Sequence, residues 1–207
     1  MKTSILFILA LAFQGTLHAQ LKPGKKEGNS HGHDNHGPIP EPEKIFWSKT
    51  KKITWNNYKK AYNHTMVNPL MTMISTHYIH YVTQKGDTLV VDNYPIFFPK
   101  DSYVKPELKT KTRLQHEQVL FDLYEVWARK LKKDIATASF SSHSYTVYLQ
   151  SMHKTNLQNR NNEILKYRNE TNYGENAAKQ KEWAAKIQKE LQELEKYNRN
   201  QIRVPVK

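Results

Sequence analysis

The stretch TRLQHEQVLFDLYEVWARKLKKDI, residues 112–135, reads as one long helix. Leu120, Leu123, Trp127, Leu131 and Ile135 recur at steps of three and four, the spacing that lines one side of an α-helix and turns it toward a core. His116 lies four residues before Leu120 and shares that stripe, with Glu117 one step round the helix. The remaining elements are placed relative to this helix.

Upstream, MTMISTHYIHYV and DTLVVDNYPIFFP are rich in β-branched and aromatic residues and are separated by a turn at Lys85 to Asp87, so residues 71–98 read as an antiparallel hairpin. His77 and His80, three apart, fall on opposite faces of such a strand and would not chelate together. The segment from Ile45 through Tyr62 is globular in composition and reads as extended chain entering a turn, and Pro99 and Pro106 bracket a connector. Downstream, Ser, Thr and His cluster over 136–144, where periodicity is lost. A second helix is expected over Tyr145 to Tyr167 with Leu149, Met152 and Leu157 inward, and Gly174 marks its break. A third helix over 175–197 carries Trp183, Ile187, Leu191 and Leu194 inward, too few heptads for a partner coil. The expected fold is therefore α+β, a small antiparallel sheet followed by three helices.

The first nineteen residues, with Lys2, an apolar run from Ile5 to Phe13 and Ala19 at a cleavage point, have the layout of a secretory signal peptide. Residues 20–44 lack large apolar groups and read as a disordered leader. Within it His31, His33 and His36 could hold a metal weakly, or serve only as a polar spacer. The domain is expected over 45–200 and a tail over 201–207. With no cysteine, no disulfide can brace the fold, and a secreted or periplasmic protein without a transmembrane anchor after signal cleavage is expected. The net charge of +13 favours anionic partners, but the lysines and arginines are spread over every segment and no nucleic-acid motif accompanies them.

His116 and Glu117 begin an H-E-x-x-H pattern whose last position is Leu120. In that motif two histidines one helical turn apart grip zinc while the glutamate takes a proton from the metal-bound water. Leucine cannot ligate a metal. Both residues are ordinary helix components, so the pair taken alone reads first as a histidine hydrogen-bonded beneath a helix.

Four pieces, KKITWNNYKKAY (51–62), YPIFFPKDSYV (94–104), LQHEQVLFDLYEVWARKLKKDI (114–135) and KYRNETNYGENAAKQKEWAAKI (166–187), resemble a bacterial domain-of-unknown-function family of predicted secreted zinc-dependent proteases. The resemblance implies a pattern His-Glu-Gln-x-His-Phe-Asp over 116–122, broken at Leu120. It also implies Tyr-Asp-x-Glu-Thr-x-His-Gly over 167–174, broken at Arg168 and Tyr173. By that mapping His116 is a remnant ligand, Glu117 a remnant general base, and Leu120 and Tyr173 vacated ligand positions. A catalytic zinc needs three protein ligands and a water, so the expectation is a non-catalytic scaffold, without a cofactor, that binds a protein, a peptide or an anionic envelope component. Two alternatives stay open at this stage. One is an active zinc peptidase using substitute ligands among Asp122, His143, His153 and Tyr173; the other is metal binding by the histidine-rich leader.

Overall fold

The computed structural model describes residues 44–83, 85–141 and 144–207. In chain order these form β1 (Ile45–Phe46), β2 (Leu70–Met71), β3 (Ile74–Val82), β4 (Thr88–Phe97), β5 (Tyr103–Val104), α1 (Lys111–Thr137), α2 (Tyr145–Thr171), α3 (Ala177–Glu193) and β6 (Gln201–Pro205). The architecture is α+β, as the patterning predicts. β3 and β4 form the hairpin, with Tyr78 opposite Asn93, and Gly86 supplies the positive φ of 73° that the turn needs. β4 is the centre of the main sheet. Its far edge is shared by β1, opposite Ile96 and Phe97, and by β6, opposite Thr88 to Asp92. β2 and β5 make a separate two-stranded sheet.

The segment expected as a tail, 201–207, is a correction: it contains β6, and the domain therefore extends beyond 200. Ile202 and Val204 point into the core, and Val206 N–H and Lys207 N–H donate to the carbonyls of Asp87 and Phe140. The five-residue run QIRVP gives little local signal, because its stabilisation comes from pairing with a strand more than a hundred positions earlier.

α1 is the hub. The Thr110 hydroxyl caps its first turn by accepting from Arg113 N–H, and the helix packs against β4, α2 and α3. Leu120, Leu123, Leu131 and Ile135 are all buried to within 1 % exposure, each worth about 1.5–3 kcal/mol of apolar transfer. Trp127 is only half-buried; its indole donates to Glu163. Glu125, Arg129 and Lys132 on the same helix are also buried, so α1 is enclosed round most of its circumference.

α2 runs four residues past its expected end. Leu149 is buried as expected, whereas Met152 and Leu157 are only half-buried. Its inner stripe continues through Asn156 and Arg160. Asn156 Nδ2 donates to the Trp127 carbonyl, and the Arg160 guanidinium donates to Thr76 and lies over the Tyr124 ring. α3 turns Trp183, Ile187 and Leu191 inward, with Leu194 just beyond its end. No helix among the described residues is long and apolar enough to cross a membrane.

Candidate functional site

His116 sits near the start of α1 at 1 % exposure, where the ends of α2 and α3 converge. The Tyr167 ring stacks on the imidazole at 4.5 Å and 11°, and its hydroxyl donates to the His116 carbonyl at 2.9 Å. The imidazole Nδ1 lies 3.2 Å from Gln180 Oε1 and 3.4 Å from the Thr171 hydroxyl. Gln180 Oε1 also accepts from the Tyr167 hydroxyl, at 2.9 Å. Nδ1 is thus tied to the Gln180 amide, and Nε2 faces Glu117, 4.0 Å away. A metal-binding histidine is likewise oriented by a hydrogen bond at its second nitrogen.

Burial lowers the imidazole pKa to about 4, opposed by the Gln180 bond and assisted by the positive charges of Arg168 and Arg113. The same burial pushes the Glu117 carboxyl above its ordinary range, against a hydrogen bond from Thr72 and the pull of the same two arginines. Thr72 in turn meets the Tyr58 hydroxyl at 2.7 Å, and Tyr58 is itself pushed up by burial and by the nearby Glu117. The result is a water-poor polar chain, Tyr58–Thr72–Glu117, beside a neutral histidine.

The turn after α2 closes the site. Asn172, Tyr173 and Gly174 all have positive φ, at 45°, 53° and 90°, and Tyr173 N–H and Gly174 N–H donate back to the carbonyls of Arg168 and Thr171. A Cβ on Gly174 would lie 2.8 Å from His116 Cβ, so glycine is required there both by conformation and by contact. Gly174→Ala should lower stability by about 1–3 kcal/mol in urea unfolding, whereas an exposed change at Lys181 should leave it unaltered. Arg113 locks the turn from outside by donating to the Tyr173 carbonyl and pairing with Glu175 at 2.9 Å.

The positions singled out in the sequence fall as follows. His116, Glu117 and Tyr173 come together, the Tyr173 ring lying 6.4 Å from the imidazole and 42 % exposed. Leu120, one turn along α1 from His116, is at 1 % exposure in the apolar core. Asp122 is elsewhere: it accepts from Trp47, Gln118 and Gln188 and is 3.4 Å from Lys52, a tie between the first strand segment and the helices. His153 stacks on Tyr78 at 3.9 Å, against the sheet, and does not approach His116. His31, His33, His36 and His143, with the expected signal peptide, lie outside the described residues.

Zinc catalysis does not fit these donors. Of the residues that meet at His116, only the imidazole is a ligand of the motif type, and Leu120 presents carbon where the second would stand. Among the described residues no three histidine, aspartate or glutamate side chains gather to hold a metal ion.

The residues that complete the site and were missed are Gln180, Thr72 and Tyr58. Gln180 had a signal, since it continues the Trp183, Ile187, Leu191 stripe backwards by three. Tyr167 and Thr171, four apart, lay inside the 166–187 piece without being assigned a role. Compared with family models, curated proteins and solved structures, the chain finds no match in any of the three.

Proposed function

We propose that the chain is a secreted or periplasmic relative of the zinc-dependent protease group whose metal site has been given up, and that it works as a binding module for a protein, a peptide or an anionic envelope component. The observation that carries this reading is the chemistry around His116. Its Nδ1 is tied as in a ligand histidine and its Nε2 faces Glu117, yet the next turn of the helix offers Leu120 packed in a dry core. Support also comes from the meeting of two separate motif pieces: Tyr167, Thr171, Tyr173 and Gly174 surround His116 although some fifty residues intervene. The nearby charges of Arg113 and Arg168 oppose any cation at the imidazole. A single buried imidazole does not retain a catalytic metal, so water beside Glu117 keeps its bulk acidity.

The test is the zinc content of full-length protein in which His31, His33 and His36 are changed to Ala, after exhaustive dialysis. The expected content is well below one zinc per chain. One zinc retained per chain, with chelator-sensitive hydrolysis of an unfolded protein that Glu117→Ala abolishes, would overturn the proposal.

A further inference from the structure

A second feature lies apart from the His116 ring, in the cleft between the 58–64 segment and the 103–109 segment. Its volume is about 380 Å³, within the range of small-molecule sites. Lys59, Lys60, Lys105 and Lys109 line it together with Tyr62 and His64. Glu107 is the one acidic residue of the lining among the described residues, and it is engaged by Lys105 at 3.8 Å. Among the described residues Lys59, Lys60 and Lys109 have no carboxylate within ion-pair distance.

The backbone under these lysines is fixed. Lys59 N–H donates to the Pro99 carbonyl, Lys60 N–H to that of Ser102, and Lys105 N–H to that of Pro69. Tyr62 gives the cleft an aromatic side: its ring lies 6.2 Å from that of Tyr103, over which Lys60 Nζ sits at 5.6 Å, and His64 is edge-on to Tyr62 at 5.7 Å. Three lysines without a carboxylate partner on one small cleft favour an anionic ligand, most of all one that concentrates its charge at one centre. A carboxylate brings one negative charge, while a phosphate monoester brings about 1.5–2 at neutral pH with three acceptor oxygens. Lysine suits such a group, acting as a compact, rotatable donor rather than a planar fork.

We propose that this cleft binds a phosphate-bearing ligand, the phosphate taken by Lys59, Lys60 and Lys109 and the remainder of the molecule laid against Tyr62 and His64. The assignment is independent of whether His116 ever held a metal. Two sources share this chemistry, a free phosphate monoester and the monoester headgroup of a lipid such as phosphatidic acid.

The experiment follows backbone amide signals of the full-length protein during titration with inorganic phosphate, with phosphatidic acid vesicles and with phosphatidylcholine vesicles. It is repeated for Lys59→Gln/Lys60→Gln/Lys109→Gln and for a charge-matched control, Lys166→Gln/Lys181→Gln/Lys189→Gln, on the exposed sides of α2 and α3. Shifts confined to 58–64 and 103–109 are expected. Affinity should fall about tenfold in the cleft variant and less than about twofold in the control, with both variants melting like the parent. Response to phosphate alone supports the proposal with a free compound as source, and response to phosphatidic acid vesicles alone supports it with a headgroup. The proposal is overturned if neither binds, if both variants weaken binding equally, or if a hexaglutamate peptide shifts the same amides at lower concentration than phosphate or the anionic vesicles.

Discussion

Arg129→Ala should lower folding stability by about 3–5 kcal/mol, the range seen when one partner of a buried ion pair is removed. Arg129 has 0 % exposure. Its Nε donates to Glu125 at 2.7 Å, and its Nη1 donates to the Leu191 carbonyl at 2.8 Å and to Glu195 at 3.1 Å. The guanidinium also lies 5.0 Å from the centre of the Trp47 ring. One side chain therefore joins α1 to the end of α3, to the turn that follows, and to the segment beside β1. Truncation would leave the Glu125 carboxylate buried beside Lys132, its pKa already pushed up by burial. For that reason Glu125→Gln added to Arg129→Ala should recover part of the loss, since it removes the orphaned charge. By contrast, Lys179→Ala breaks an ion pair just as close, 2.6 Å to Glu182, but an exposed one, and should leave stability close to that of the parent. Urea unfolding of the four proteins decides the matter; an Arg129→Ala loss as small as that of Lys179→Ala would mean that the buried pair does not hold the helices together.

That buried charge also explains where reading the sequence reached its limit. In α1 and α3 the apolar spacing is strong and local, and Leu120, Leu123, Leu131, Ile135, Trp183, Ile187 and Leu191 are buried as the pattern implies. Glu125, Arg129 and Lys132 resemble a solvated face by composition. Arg129 and Lys132 are buried because their partners, the Leu191 carbonyl, Glu195 and the Arg199 carbonyl, lie more than sixty residues on, and Glu125 is buried against Arg129; no periodicity contains that information. α2 is legible only in part. Leu149 is buried as its spacing implies, but the inner stripe continues through Asn156 and Arg160, whose hydrogen bonds and ring contact replace apolar burial, so Met152 and Leu157 are only half-buried. At the site, His116 and Glu117 were legible as a motif and Tyr173 through the resemblance. Thr72 lies before β3 and carried no mark of its bond to the carboxylate, and Tyr58, though inside the 51–62 piece, reaches the pair only through Thr72.

The His116–Glu117 pair should give the protein an acid limb whose slope steepens when Glu117 is made neutral. An unfolded histidine takes up its proton near 6.5, whereas folded His116 does so only at about 4, chiefly because burial penalises the cation. Between those values the unfolded chain binds more protons, so stability falls as pH falls, by about 3 kcal/mol over the whole interval at 1.36 kcal/mol per unit. Glu117 works in the opposite sense. Its folded pKa lies above the ordinary 4.5, so its favourable contribution is fully present below that value and is lost as pH rises through the folded pKa. In the parent protein the two slopes partly cancel in the acid range. Glu117→Gln keeps the size of the side chain and an acceptor for Thr72 while abolishing the second titration. The variant should therefore be more stable than the parent at about pH 8, and should lose stability more steeply on acidification from 6.5 to 4. His153, also held at about 4 by burial, contributes the same slope to both proteins and cancels in their difference, and Lys132, lowered to about 8, titrates above the window. Chemical unfolding of parent and variant across this range gives the difference curve directly. A flat difference would show that the Glu117 carboxyl titrates as it does in the unfolded chain, and that Thr72, Arg113 and Arg168 fully offset the cost of burying its charge.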